Sequence, residues 1–240
     1  MDLSAFLYRR LARWITCRFQ IPDNGQIRIK NKYELASFQD VFCRPFYWQL
    51  YGQVSAPPSL IVDCGAHCGH FSILADICLR SKFPDARPRF VLVEPNPMLI
   101  PILRQNLKDA NLLDRVQIQQ GLLGANRGSA KLYVNPKNLL DARVTTQDDS
   151  ESKEVEFIDL NQTLGDQTID VMKIDIEGGE FDFVEHNRRL IANTRCLLLE
   201  MHGQEQDEHQ KLLDTFKGVG LKLLSRTTEA SGYQLLMFGR

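Results

Sequence analysis

Asp63-Cys64-Gly65-Ala66-His67-Cys68-Gly69 follows a short apolar run, Leu60–Cys64, and leads into a helical pattern. Strand, glycine-bearing turn and helix in that order make a ligand loop, because ligands of doubly wound sheets sit beyond the carboxyl ends of the strands. Gly65 allows a tight turn with no Cβ between backbone and ligand, and Gly69 lets the helix start lie close to the strand. The loop has neither the G-x-G-x-x-G of a dinucleotide site nor the Gly-Lys-Ser/Thr of a P-loop. Glu94 ends the next apolar run, in Val91-Leu92-Val93-Glu94-Pro95. A carboxylate there accepts hydrogen bonds from both hydroxyls of a ribose. These residues describe a ligand with a ribose and no pyrophosphate.

Two further pairs suit acid–base work. Asp175 and Glu177 lie two apart after Lys173-Ile174, and Glu200 and His202 repeat that spacing at the end of a later run. In extended chain each pair shares a face. The plainer roles are helix capping near Gly178 for Asp175 and Glu177, and a backbone-bonded loop histidine for His202. Cys64, His67, Cys68 and His70 have zinc-ligand types, but four ligands within seven residues do not close a tetrahedron around one ion. His67 is therefore read as lining the ligand loop. Oxygen chemistry would admit a divalent ion between Asp175, Glu177 and Glu200; the sequence assigns no metal.

The elements that must position these groups alternate. Apolar runs at Leu60–Cys64, residues 90–94, Val116–Gln120, Ile169–Ile174 and residues 196–200 are separated by helical patterns over 69–80, 97–110 and 181–190. Near-continuous apolar strands between helices imply a parallel sheet covered on both faces. After a helix near 208–217, runs at 221–225 and 232–238 are joined by a loop too short for a crossover, so they form an antiparallel hairpin. The expected fold is α/β, a doubly wound, mostly parallel, seven-stranded sheet with a C-terminal antiparallel hairpin. Residues 60–240 form that domain and residues 1–59 a helical and aromatic extension. Residues 26–30 read as a strand and 34–42 as a helix. Between 128 and 157 the rhythm breaks into strand pieces around the acidic run Asp148, Asp149 and Glu151, a loop over the cleft or a solvated one.

The first twenty residues read as an amphipathic helix, with Leu3, Phe6, Leu7, Leu11, Trp14 and Ile15 on one stripe. Such a helix packs on the domain or lies at a membrane surface, so peripheral membrane contact is one reading. Composition excludes other classes. With 240 residues, 43% of them hydrophobic and 25% charged, the chain is not disordered, collagenous or many-spanning. Its 29 basic and 30 acidic residues give a net charge of -1 and no global attraction for nucleic acid. Six cysteines without a C-x-x-C pair read as reduced thiols of a cytoplasmic protein.

The strings IVDCGAHCGHFSI, VLVEPNP, DVMKIDIEGGEFDFV and LLLEMHG, in that order over residues 60–203, resemble the FkbM-type S-adenosylmethionine-dependent methyltransferases. The resemblance implies a class I methyltransferase fold and S-adenosylmethionine as cofactor. It places Asp63, Gly65 and Gly69 against the methionine part, Glu94 on the ribose, and Gly121, Leu122, Leu123 and Gly124 near the adenine. Where the family often carries an acidic residue after that second glycine, this chain has Ala125. The implied reaction is methylation, on oxygen, of a small-molecule or glycan acceptor, a sugar or secondary metabolite. A hydroxyl acceptor must lose its proton to a base within reach. His202 has the better unperturbed pKa for that task; Asp175, with Glu177 beside it, suits positioning of cofactor or acceptor. The alternatives are a nicotinamide-type oxidoreductase on a related sheet and a non-catalytic binding module.

Overall fold

The computed structural model describes residues 16–124, 128–135, 142–146, 152–202, 206–229 and 232–240. The stripe from Leu3 to Ile15, Ala125 and the acidic run Asp148, Asp149 and Glu151 lie outside the described residues.

The chain opens with a hairpin, β1 (Cys17–Gln20) and β2 (Gln26–Ile29), paired antiparallel. Residues 17–20 were expected to continue a helix; the turn chemistry overrides that. Asp23 and Asn24 stand at φ 59° and 60°, the left-handed pair of a tight hairpin turn, followed by Gly25. Three helices follow: α1 (Lys32–Phe42), α2 (Pro45–Trp48) and α3 (Leu50–Gln53). Asn31 starts α1 by accepting hydrogen bonds from the Tyr33 and Glu34 amides at 2.9 and 3.0 Å.

The main domain runs β3 (Leu60–Cys64), α4 (His70–Lys82), β4 (Arg89–Glu94), α5 (Ile100–Asp109) and β5 (Val116–Gln120). A meander follows: β6 (Ser129–Val134), β7 (Ala142–Thr145) and β8 (Ser152–Glu156). Then come α6 (Leu160–Leu164), β9 (Ile169–Ile174), α7 (Glu180–His186), α8 (Arg188–Ala192), β10 (Thr194–Met201), α9 (Gln206–Gly218), β11 (Lys222–Thr228) and β12 (Gln234–Gly239). The seven-stranded sheet has the order β11-β12-β10-β9-β3-β4-β5. Strands β3, β4, β5, β9 and β10 pair in parallel, while β12 is antiparallel to both β10 and β11. The doubly wound, mostly parallel α/β sheet with its C-terminal hairpin is thus as expected. The helix expected over 181–190 is divided in two, with Asn187 between the pieces.

Alternate residues of one strand feed two cores. Ile61 faces one side with Phe71, Leu74, Phe90 and Leu103; Leu60, Val62 and Cys64 face the other with Leu160, Phe183, Leu212 and Phe216. Each such large side chain, taken fully out of water, stabilises the fold by about 1.5–3 kcal/mol. The first core also takes in Ile27, Val41, Phe46, Tyr47 and Leu50, so the segment before β3 is packed on the α4 face of the sheet. Strands β7-β6-β8 form a second, three-stranded sheet with its own small core of Leu122, Leu132, Val134 and Val155. No helix among the described residues is long and apolar enough to cross a membrane.

Candidate functional site

Strand order reverses at β3, which has β4 and β5 on one side and β9 and β10 on the other. The carboxyl ends of these strands open into a cleft of about 500 Å³, roofed by α1 and Tyr47 on one side and by the three-stranded sheet on the other. A volume of a few hundred cubic ångströms is that of a small-ligand site.

The loop after β3 is held by its own backbone. Gly65 has φ 81°, and a Cβ there would lie 1.7 Å from the Asp175 carbonyl oxygen. The glycine is thus required by contact between the β3 and β9 loops, not only by ligand approach. Gly69, at φ 83°, ends the turn, and a Cβ would meet Leu103 Cδ1 of α5 at 2.7 Å. Its neighbour is therefore α5 rather than the strand. Because Leu103 is a flexible end, Gly69→Ala should fold but lose about 1–2 kcal/mol, mostly from the left-handed backbone. Urea unfolding would measure this; a loss below a few tenths would show that the loop relaxes freely. Gly121, after β5, stands where a Cβ would meet Ile158 Cγ1 at 2.3 Å, and Leu122 is buried in a bridge to Phe157.

Glu94 ends β4 with both carboxylate oxygens bonded. Oε2 accepts the His67 amide at 2.7 Å and Oε1 the Asn96 amide at 2.9 Å. The side chain is buried yet lines the cleft. Burial outweighs the two amides and lifts its pKa to about 7. His67 has φ 48°, and burial drops its pKa to about 4, so its ring is neutral.

At the other end of the cleft, Lys173 projects from β9 with 5% side-chain exposure. Its Nζ lies 3.0 Å from Asp175 Oδ2 and 3.6 Å from Asp63 Oδ1, and donates to the Gly65 carbonyl at 2.9 Å. Burial opposes the charge, but Asp175 and Asp63 hold the ammonium firmly protonated. Asp63 also accepts the Ser72 hydroxyl at 2.7 Å. Asp175 is therefore an ion-pair partner rather than a helix cap. The loop Ile176–Gly179 is closed instead by Glu180, whose Oε1 accepts the Ile176 and Gly178 amides at 3.2 and 3.1 Å. Glu177 sits in this loop at φ 58° with an exposed side chain.

His202, at the end of β10, meets carboxylates on every polar edge. Nδ1 is 3.1 Å from Glu180 Oε1, and Nε2 is 3.4 Å from Glu200 Oε1 and 3.7 Å from Glu177 Oε2. Burial alone would lower its pKa; hydrogen bonds to Glu180 and Glu200, with the charges of Glu177 and Asp175, push it up to about 11. The expectation of a neutral base rested on the unperturbed value, and this setting removes that ground. The buried Tyr47 hydroxyl donates to Glu200 Oε2 at 3.2 Å.

Gly65, His67, Glu94, Gly121, Leu122, Asp175 and Glu177 thus gather around one cleft, with Asp63 buried beneath it against Lys173, His202 behind Glu200 and Gly69 turned toward α5. Sequence reasoning missed Tyr47, Asp40 and Lys173. A lysine near the end of the run Ile169–Ile174, whose other charge, Asp170, stands near its start, is a signal that could have found Lys173; Tyr47 lies in an aromatic stretch with no such mark.

A family model described as the methyltransferase FkbM domain matches residues 63–233. No curated protein matches the sequence. Among solved structures, cofactor-bound Rv0187 from MTB aligns at TM-score 0.50 and 15% identity, covering 99% of this chain and 95% of that one. The O-methyltransferase TomG from Streptomyces achromogenes, in complex with SAM, aligns at 0.48 and 14%, covering 81% and 79%. An O-methyltransferase from Bacillus cereus, in complex with SAH, aligns at 0.47 and 16%, covering 81% and 79%. At such identities the likeness to the first is one of fold.

Proposed function

Because the chain belongs to the methyltransferase FkbM domain family, we propose that it transfers a methyl group from S-adenosylmethionine to a hydroxyl of a neutral, hydroxyl-rich small molecule or glycan. The observation that carries the cofactor reading is Glu94, a buried carboxylate open to the cleft beside the Gly65–Ala66–His67 turn. Each of its oxygens has one backbone donor, which leaves lone pairs for two ribose hydroxyls. Gly121 and Leu122 would border the adenine, and Asp63, Gly65 and Gly69 would shape the methionine end, with Asp63 acting through Lys173. When bound, S-adenosylmethionine supplies an electrophilic methyl on a sulfonium, so the leaving group is already activated. This chain's residues then have to align the acceptor and take its proton.

The acceptor end is lined by Asp40, Asp175, Glu177 and Glu200. Carboxylates accept hydroxyl hydrogen bonds and repel phosphate or carboxylate groups, which favours a sugar or hydroxylated metabolite over a nucleic acid. Of these carboxylates, Glu200 and Asp175, at the ends of β10 and β9, would receive the hydroxyl proton. His202 holds Glu200 in place, and Tyr47 fixes the other oxygen of that carboxylate. All six cysteines are free and four are buried, which supports a reducing, cytoplasmic setting. Membrane contact through Leu3, Phe6, Leu7 and Trp14 rests on the sequence pattern alone.

Calorimetry with S-adenosylhomocysteine, and separately with NADH, tests the cofactor. Binding of the first and not the second is expected; the reverse would restore the oxidoreductase reading, and binding of neither the non-catalytic one. Incubation with a panel of hydroxylated acceptors, reading S-adenosylhomocysteine formation, then tests the reaction. Tyr47→Phe should slow that formation about 3- to 10-fold, the worth of one hydrogen bond, and leave cofactor affinity unchanged. An unchanged rate would remove Tyr47 from the acceptor site.

A further inference from the structure

Asp175, Glu200 and His202 end two adjacent strands, and one donor atom of each lies within 4.8 Å of the other two. Each is held from outside by a different residue. Lys173 Nζ takes Asp175 Oδ2 at 3.0 Å, the Tyr47 hydroxyl takes Glu200 Oε2 at 3.2 Å, and Glu180 Oε1 takes His202 Nδ1 at 3.1 Å. Glu180 has no exposed surface and comes from a separate element, α7. With those atoms occupied, Glu200 Oε1, which lines the cleft, and His202 Nε2 behind it are left facing each other at 3.4 Å. An imidazole whose Nδ1 is fixed by a buried carboxylate, and whose Nε2 points among acids, is the arrangement by which proteins orient a metal-bound histidine. This sets the group apart from a plain acidic patch.

The charge balance points the same way. Four carboxylates, Asp175, Glu177, Glu180 and Glu200, surround His202; among the described residues the Lys173 ammonium is shared with Asp63, and the Arg44 guanidinium is paired with Asp40 and Glu229. A cation placed at the convergence therefore enters a negative field.

We propose that Asp175, Glu200 and His202 form a binding site for one divalent cation of the Mn²⁺ or Mg²⁺ class at the acceptor end of the cleft. Two carboxylate oxygens and one imidazole nitrogen suit a hard, octahedral ion better than the thiolate- and histidine-rich sets that select zinc. Ligation at Nε2 requires the neutral ring. Three protein ligands leave positions for acceptor oxygens; in that clause the inference rests on the methyltransferase reading. Such an ion would lower the pKa of a bound acceptor hydroxyl, whose proton would pass to a cleft carboxylate outside the ligand set, Glu177 or Asp40.

The test uses the full chain, stripped with chelator and titrated with Mn²⁺, with free ion followed by electron paramagnetic resonance. The expected result is saturation at one Mn²⁺ per chain, and a nitrogen coupling from His202 in pulsed spectra. Glu200→Gln and His202→Gln should each weaken binding at least tenfold, and His202→Gln should abolish the nitrogen coupling. Asp166→Asn, outside the cleft, should leave both unchanged. No uptake by the wild-type chain, or uptake indifferent to both cleft substitutions, would overturn the site. If Glu200→Gln fails to fold, the nitrogen coupling and its loss in His202→Gln decide alone. S-adenosylhomocysteine calorimetry on the metal-free samples separates the two proposals: retained cofactor binding without Mn²⁺ uptake overturns the metal site only.

Discussion

Glu94→Gln is expected to weaken S-adenosylhomocysteine binding about 10- to 100-fold, the worth of two hydrogen bonds from ribose hydroxyls to a charged acceptor. Both native oxygens already accept backbone amides, from His67 and Asn96, so the glutamine NH₂ must face one amide N–H and the turn also loses an acceptor. The wild-type chain should show a pH dependence that the variant lacks. With the Glu94 pKa lifted to about 7 by burial, the carboxyl is largely protonated at pH 6 and ionised at pH 8, so cofactor affinity should rise across that interval. Stability should move the opposite way. The folded pKa lies above the unfolded one, so this group's contribution is complete below about 4.5 and is lost as pH rises through about 7. Between pH 5.5 and 8 the wild-type chain should lose about 2 kcal/mol relative to Glu94→Gln. Calorimetry gives the affinities and urea unfolding the stabilities. Equal pH slopes in both proteins would refute the assignment of this titration to Glu94.

Lys173→Met is expected to cost about 3–5 kcal/mol, the penalty for leaving buried charge without its partner. Asp63 has no exposed surface, and its nearest cation is Lys173 at 3.6 Å. Methionine matches the length of the lysine stem but leaves Asp63 and Asp175 repelling each other and the Gly65 carbonyl without that donor. Part of the loss should return in the double variant Lys173→Met/Asp63→Asn, since asparagine carries no charge to compensate. Urea unfolding of Lys173→Met, Asp63→Asn, the double variant and the wild type forms a full cycle. A single-variant loss below 1 kcal/mol would mean that water reaches the pair and screens it.

The inner strands of the large sheet were legible as apolar runs cut off by a turn residue, and the edge strand Val116–Gln120 by its alternating Val116 and Ile118 before Gly121. Leu60–Cys64, Val116–Gln120 and Ile169–Ile174 keep the bounds read from the sequence. The loop glycines and Glu94 were legible too, since strand-to-helix turns mark the ligand side of such sheets. Cys17–Gln20 was misread because a helical stripe ran up to it, while the pairing that makes it a strand comes from the Asp23-Asn24-Gly25 turn. The role of His202 was not legible. Its environment is set by Glu180 and Glu177, more than twenty residues earlier, and no local pattern records that they meet. Tyr47 is harder still: its partner Glu200 is 153 residues away, and only the packing of α2 on the sheet brings them together.

The contact between Gly65 and the Asp175 carbonyl has a mechanical consequence. The loop that would carry the methyl donor and the loop that would carry the acceptor's polar partners touch with no clearance, and the Lys173 ammonium clamps one to the other. Separating them would break that contact and the Lys173 bonds together, whereas α1 and the three-stranded sheet close the cleft from the opposite sides. A misplacement of 1 Å can cost about a hundredfold in rate. That tolerance is therefore held by a backbone contact and by the buried Lys173 side chain that bridges it, while ligand entry is left to the outer walls.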